Sequence, residues 1–319
     1  MNRPGIARQS DAVLGLVAVI MATTIWSFGA VLGRSVGPSG VVTTTWRLWM
    51  GVVLWWVVAS AVGQRPDWRT VRVALPAGVL FGGNLTLFFT ALEHTTIANA
   101  SIIGALTPVA MLPLAVVLLK ERLDAVKVCC ALAAVAGVVA AVLVVPDQGG
   151  GPERTNLGDG LAVASLLLWV CYLLATKKAR QGVGTVALLT SITTVAAVVV
   201  TPLALFGGED MGSIDGRGWL WLVLLTVGPG AIGHAMVAWA QPHVDASVSS
   251  VLLQGEPVGS TFAAAIFLGE TIGGWQVAAM ALVVAALATL AVHSSRAAPA
   301  AVPEAFIVAD PAATDPAAL

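Results

Sequence analysis

Charged residues are scarce in this sequence. Only 10% of its 319 residues are Asp, Glu, Lys or Arg, 58% are hydrophobic, and the mean hydropathy is +0.90. A soluble domain usually carries about 25% charged residues and cannot hide so much apolar surface. The scarcity of charge therefore excludes a soluble globular protein and predicts an integral membrane protein.

Cysteine and histidine are also rare and scattered. The three cysteines, Cys129, Cys130 and Cys171, fall inside apolar segments without metal or redox spacing, and we interpret them as packing residues. The four histidines are scattered over different predicted spans and depths, and no nucleophile motif or glycine-rich phosphate loop is present. We expect no cofactor and no ATP-driven step.

What the sequence does contain is a series of apolar segments of about 20 residues, the length of helix that crosses a bilayer. Runs such as 129–145 are apolar on all sides, which excludes the alternating pattern of barrel strands. The pattern predicts an all-α membrane protein with ten transmembrane helices. Their predicted bounds are 13–33, 41–63, 71–92, 97–119, 125–145, 158–178, 184–206, 217–240, 245–268 and 273–293.

The sixteen lysines and arginines are distributed unevenly between the two sides of these segments. With the N-terminus inside, twelve fall in cytoplasmic segments, three (Arg34, Arg154 and Arg217) in outer loops, and Arg47 within the second span. This bias predicts a multi-pass protein of the cell membrane with both termini cytoplasmic. Because the positive residues are spread over short loops, they fit orientation and give no reason to expect nucleic acid as a partner.

The chain contains an internal repeat. A shift of 149 residues places 94–127 over 243–276 and aligns Pro108 with Pro257, and a shift of 143 aligns Trp26 with Trp169. Lys120, which is cytoplasmic in the first copy, becomes Gly269 in the second, as expected if two five-helix copies cross the membrane in opposite senses. The predicted organisation is a cytoplasmic segment 1–12, a first repeat 13–145, an external linker 146–157, a second repeat 158–293 and a disordered cytoplasmic tail 294–319.

Two stretches resemble a known family. Thr107-Pro108 with the run Leu118-Leu119-Lys120-Glu121-Arg122, and Leu252 to Pro257 followed by Phe267-Leu268-Gly269-Glu270, resemble the repeat signature of EamA-type transporters of the drug/metabolite transporter superfamily. The resemblance implies ten spans, cytoplasmic termini, and export or exchange of small metabolites, including amino acids and drugs. Where this family usually has Leu before Glu-Pro, this chain has Gly255.

Prolines interrupt matching spans of the two copies. Proline donates no backbone hydrogen bond and clashes with the carbonyl four residues earlier, so we expect kinks at Pro108 and Pro257 that free the carbonyls of Gly104 and Leu253. Interrupted helices at matching positions are typical of transporter binding sites. Pro229 predicts a third break, with site shaping and packing both open as its role.

Glu256 is an acidic residue in the middle of the ninth span. Intramembrane carboxylates usually face a bundle interior or a wet cavity and mark transport or proton paths. A carboxyl group that is hydrated in one state and desolvated in another can take up and release protons, so we predict that Glu256 couples transport to protons. The alternative is a neutral carboxyl group that hydrogen-bonds the kinked backbone. Thr107 is its counterpart in the first copy and a substrate-binding candidate.

Six further residues are substrate-binding candidates. Arg47 is predicted either to hold a substrate carboxylate or to extend to the outer interface. Trp26 and Trp169 either flank an amphipathic or cationic substrate or pack between helices. Polar side chains at interior positions, expected mainly to form interhelical hydrogen bonds, complete the set: Asn84, Gln254 and His234.

Together these features predict a secondary active transporter, most simply an exporter, of small neutral, zwitterionic or cationic solutes. Its expected partners are the solute, protons and the lipid bilayer, and the sequence carries no signal of oligomeric state. A facilitative exchanger without proton coupling is one alternative. An intramembrane enzyme or a structural membrane protein is the alternative from another class, although no cluster of catalytic residues supports it.

Overall fold

A computed structural model describes residues 4–95, 100, 103–143, 155–268 and 273–296. Within these ranges the chain is helical and contains no strand. Most of the predicted linker 146–157 and most of the tail 294–319 lie outside the described residues. So do Arg3, Arg154 and Glu270.

The helices follow the order of the apolar segments. The first repeat contains α1 (Pro4–Trp26), α2 (Gly29–Val36), α3 (Gly40–Ala61), α4 (Trp68–His94), α5 (Thr107–Leu119) and α6 (Ala125–Leu143). The second contains α7 (Asn156–Ala179), α8 (Thr185–Phe206), α9 (Gly216–Leu225), a π-helical segment (Thr226–Gly233), α10 (His234–Ala240), α11 (Ala246–Leu252), α12 (Gly255–Leu268) and α13 (Gly274–Arg296).

Six of the described helical stretches are long and apolar enough to cross a membrane. These are Gly40–Ala61, Trp68–His94, Asn156–Ala179, Thr185–Phe206, Gly216–Ala240 and Gly274–Arg296. The apolar helices Asp11–Trp26, Ile103–Leu119 and Ala125–Ala141 are shorter. The chain is thus a helical, multi-pass membrane protein.

The structure interrupts predicted spans near Pro229 and Pro257, and also at Ser27, where we predicted no break. The span 13–33 is divided at Ser27 into α1 and α2, because the carbonyl of Ser27 accepts a hydrogen bond from Ser260 Oγ (3.0 Å) of α12 instead of continuing the ladder of α1. The span 217–240 contains the π-helical segment around Pro229, and the span 245–268 is divided before Gly255. Irregular backbone at this depth is tolerated only where protein covers it.

Close packing between α4 and α8 joins the two repeats. A β-carbon added at Gly78 would lie 2.6 Å from Val195 Cβ, and one added at Gly82 would lie 3.1 Å from the carbonyl oxygen of Ala196. Glycine at these positions lets the two backbones approach, which is a common device where membrane helices associate. The core of the protein therefore lies across the boundary between the repeats.

Candidate functional site

Five ring side chains converge where α1, α4, α7 and α10 meet. We call this set the aromatic cluster: Trp26, Phe81, Trp169, Tyr172 and His234. The imidazole of His234 lies with its centroid 4.9 Å from that of Trp26 and 4.8 Å from that of Phe81. Trp26 and Trp169 are in edge contact at 5.5 Å. In this conformation the two tryptophans pack against each other.

The π-helical segment sets the position of Trp26. Its indole Nε1 donates a hydrogen bond of 2.8 Å to the carbonyl of Pro229. A β-carbon at Gly233 would lie 2.2 Å from that nitrogen, so only glycine leaves room for the ring. A π segment releases backbone carbonyls from the regular ladder, and here one of them binds a side chain of another helix.

The break before Glu256 lies against the break in the first span. Ser27 Oγ lies 2.9 Å from the carbonyl oxygen of Thr23 and 3.3 Å from that of Glu256. The amide of Glu256 donates to the carbonyl of Leu253 over 3.1 Å, a tight turn that places the carboxyl group in the first turn of α12. The Glu256 side chain is partly buried. No described residue forms a hydrogen bond or an ion pair with its carboxyl group.

The corresponding break of the first repeat is closed by its own side chain. Thr107 Oγ1 donates a hydrogen bond of 2.7 Å to the carbonyl of Gly104, the group that Pro108 leaves free. The helix turns at Leu106 and α5 starts at Thr107, with Pro108 in its first turn. The Thr107 hydroxyl is thereby used by the backbone.

Arg47 is buried in α3, with a relative exposure of 8%. It lines a small cavity of about 20 Å³ together with Phe81, Thr193, Thr226 and Gly230. The side chain therefore points into the protein, and an extension to the outer interface does not occur in this conformation. Since Phe81 also belongs to the aromatic cluster, the cavity and the cluster are adjacent.

Two further candidates, Asn84 and Gln254, are also buried. Asn84 Nδ2 donates to Ser165 Oγ (2.9 Å) and to the Ser165 carbonyl (3.0 Å), which ties α4 to α7. Gln254 is buried at the junction of α11 and α12. The structure thus brings Trp26, Trp169 and His234 together, whereas Asn84 forms an interhelical hydrogen bond.

Some residues of this region were not among the sequence-based candidates. Phe81 and Thr193 sit in long apolar helices, where one ring or hydroxyl has no sequence signal of its own. Ser27 carries a signal only in combination with Ser260, its partner from the other repeat. Within the described residues no group of three His, Cys, Asp or Glu side chains is placed to hold a metal ion.

A set of charged side chains ties the helix ends on the side predicted to be cytoplasmic. We call it the charged cluster: Glu121, Lys127, Lys177 and Asp245. Glu121 accepts hydrogen bonds from the amides of Ala246 (2.7 Å) and Ser247 (3.1 Å) at the start of α11, and it lies 3.3 Å from Lys177 Nζ. Lys127 Nζ lies 2.6 Å from Asp245 Oδ2. The loop after α5 is thereby joined to α7 and α11.

Comparison with known families assigns the chain. The profile of the EamA-like transporter family matches it twice, over residues 12–143 and 156–292. The chain belongs to the EamA-like transporter family. This confirms the resemblance seen in the sequence, and it agrees with membership of the drug/metabolite transporter superfamily.

Relatives and a solved structure agree with this assignment. An "Uncharacterized transporter" of Archaeoglobus fulgidus is 25% identical over 290 residues, which cover 87% of this chain and 94% of the relative. The "Uncharacterized inner membrane transporter YhbE" of Escherichia coli K12 is 26% identical over 199 residues, 59% of each chain. One solved structure, described as "Crystal structure of protein", shares the fold with a TM-score of 0.74 at 23% identity, covering 88% of this chain and 98% of that chain.

The family and the apolar helices establish the general class. This EamA-family protein is a multi-pass membrane transporter of the drug/metabolite transporter type. Family and relatives indicate a transporter rather than an enzyme.

Proposed function

We propose that this protein is a secondary active exporter of small metabolites, amino acids or drugs in the cell membrane, driven by proton exchange at Glu256. The observation that carries the proposal is the meeting of two interrupted helices at Ser27 and Glu256. Discontinuous helices that meet near mid-depth are typical of the binding sites of secondary transporters. Glu256, whose carboxyl group has no ion-pair partner among the described residues, lies at this junction.

In this proposal ten spans form two inverted five-helix repeats, 13–145 and 158–293. The double family match and the aligned prolines support two equivalent units. An odd number of spans per unit makes the second unit cross the membrane in the opposite sense. The movement of positive charge between the copies supports this inversion and supports cytoplasmic termini.

Transport by alternating access requires one end of the molecule to close while the other opens. The charged cluster lies at the end assigned to the cytoplasm and ties Glu121 to α7 and α11. These contacts support a conformation in which the cytoplasmic end is closed. Opening this end would separate Glu121 from Lys177 and Lys127 from Asp245.

Glu256 is suited to coupling because the carboxyl group is not committed to an ion pair within the described residues. A carboxyl group in this setting can exchange protons with whichever side is open. Solute and proton then compete for one junction, and the outward solute flux is driven by the inward proton gradient. No cofactor is needed for this cycle.

The experiment begins with a growth-protection screen of expressing cells against amino acids, analogues and cationic drugs. A compound found in this way is followed in proteoliposomes with and without a pH gradient. Wild-type protein should show both gradient-driven transport and counterflow. Glu256→Gln should lose gradient-driven transport and retain counterflow, while the control Asp11→Asn, an exposed acid of α1, should behave as wild type.

Three results would change the proposal. Loss of counterflow as well in Glu256→Gln would make Glu256 a substrate-binding group and not the coupling group. Wild-type flux that is independent of pH would identify a facilitative exchanger. Absence of flux for every compound that protects cells would remove the transport proposal.

A further inference from the structure

Arg47 is a buried cation of α3. Its guanidinium has no ion pair or hydrogen-bond partner among the residues that the structure describes, although only 8% of the side chain is exposed. Burial of a charge is costly unless the charge is paired and hydrogen-bonded. A chain that keeps such a group in a membrane helix has a use for it.

A threonine of α8 lines the same cavity. In α8 the hydroxyls of Thr190, Ser191 and Thr194 each donate to the carbonyl four residues earlier, at 2.7–2.9 Å. Thr193, in the middle of this series, makes no such bond in the described structure and lines the cavity with Arg47. The residues lining the cavity therefore include a guanidinium and a hydroxyl that have no hydrogen-bond partner among the described residues.

Gly230 of the π-helical segment also lines the cavity. A β-carbon at Gly230 would lie 3.3 Å from Arg47 Nε and 3.6 Å from Nη2, so any larger residue would crowd the guanidinium. The hydroxyl of Thr226 is already bonded to the carbonyl of Leu222 at 2.7 Å. The polar character of the cavity thus comes from Arg47 and Thr193.

We propose that this cavity binds the carboxylate group of the transported solute, with Arg47 as a bidentate donor and Thr193 as an additional hydrogen-bond donor. The inference rests on the proposed transport function and specifies its substrate class. The planar guanidinium matches a carboxylate, and one cation neutralises one negative charge. A phosphate ester, with two negative charges, would require further cations.

Binding is tested on the purified full-length protein with pairs of compounds that differ only in this group. Benzoate is compared with benzamide, and leucine with leucinamide, through the rise in melting temperature as ligand is added. We expect the acids to bind about ten- to a hundredfold more tightly than the amides, the range of one or two charged hydrogen bonds. Equal responses of acid and amide would overturn the proposal.

Variants separate binding from folding. Arg47→Gln should abolish the difference between acid and amide and should raise the melting temperature of the free protein, because it removes an unpaired buried charge. Arg47→Lys should bind carboxylates more weakly because it lacks the planar fork. The exposed Arg217→Gln is the matched control and should leave binding unchanged. A fall in the stability of Arg47→Gln with an unchanged ligand response would show a structural cation and refute the assignment.

Flux through proteoliposomes distinguishes this inference from the proposed function. Selective binding of acids without flux would remove the transport proposal and leave a carboxylate site. Flux of leucinamide equal to that of leucine, unchanged in Arg47→Gln, would leave a transporter and remove the carboxylate site.

Discussion

The two proline breaks have the same position in their repeats and different chemistry. At the first, Thr107 Oγ1 closes the break by donating to the Gly104 carbonyl. At the second, Glu256 occupies the place of Thr107, and the carbonyl of Leu253 is satisfied by the Glu256 backbone amide. The side chain is used by the fold in one repeat and left available in the other.

The loops that follow the breaks differ in the same way. After α5, Glu121, Lys127 and Asp124 are all engaged in contacts to other helices. At the positions equivalent to Asp124 and Lys127 the second repeat has Gly273 and Gln276. Within the described part of the chain, the Gln276 amide oxygen accepts a hydrogen bond from the amide of Gly273 (2.8 Å). Equivalent positions of the two copies thus carry different side chains with different contacts in the described part of the chain.

The largest effect on transport is expected when Glu256 is replaced by threonine, the residue at the equivalent position of the first break. In Glu256→Thr the hydroxyl can cap the Leu253 carbonyl as Thr107 caps Gly104, so we expect the protein to fold and pH-gradient-driven flux to fall to background. Flux in proteoliposomes and unfolding of the same preparation are the measurements. Retention of gradient-driven flux would show that the two breaks are chemically equivalent.

The next largest effect concerns the charged cluster. Glu121 is only 6% exposed, so Glu121→Gln leaves Lys177 without its buried partner and weakens the cap of α11. We expect a loss of about 3 kcal/mol in the free energy of unfolding, measured by denaturant titration in detergent. Gln276→Ala in the corresponding loop of the second repeat is the control and should cost well under about 1 kcal/mol. Equal losses would contradict the division between the loops.

A smaller effect should follow at the first break itself. Thr107→Val keeps the shape of the side chain and removes the donor to the Gly104 carbonyl, which should cost about 1 kcal/mol of unfolding free energy. Thr107→Ser, which keeps the hydroxyl, should stay close to wild type. Loss of solute affinity in Thr107→Val at unchanged stability would instead make Thr107 a binding residue.

The smallest expected effect is a pH dependence of the unfolding free energy, caused by Asp124 in the loop between α5 and α6. The hydrogen bond from His293 and that from the Lys127 amide lower the pKa of Asp124 below its usual range. A lowered pKa in the folded state stabilises the protein above the unfolded pKa of about 4, and this stabilisation is lost as the pH falls through the folded value. The side chains of Asp124 and His293 are partly exposed, at 46% and 35%. We therefore expect this contact to contribute about 0.5 kcal/mol to the free energy of unfolding. In Asp124→Asn the free energy of unfolding should depend less on pH between pH 5 and 3. An unchanged pH dependence would show that the Asp124–His293 contact does not stabilise the protein.

The sequence predicted the helical class, the family and the positions of the interruptions at Pro108, Pro229 and Pro257. These depend on local chemistry, namely apolar length and the missing amide of proline. The division of the first span at Ser27 was not predicted, since it depends on Ser260, more than two hundred residues away.

The candidate site was predicted less completely than the fold. Trp26, Trp169 and His234 were identified one by one, but their contact with Phe81 depends on the packing of four helices. For Arg47 two positions were open, and burial against the π-helical segment decides between them only in three dimensions. Residues of a kind that is common in membrane helices, such as Thr193, become distinctive only when their neighbours are known.

The glycine-mediated contact of α4 with α8 limits which parts of this transporter can move. Together with the Asn84–Ser165 hydrogen bonds, it fastens helices from both halves into one block. The two halves therefore cannot rock as independent bodies without breaking this block. Gating would then require movement of the interrupted elements, α1 with α2 and α11 with α12. These would move relative to a fixed block formed by helices of both repeats.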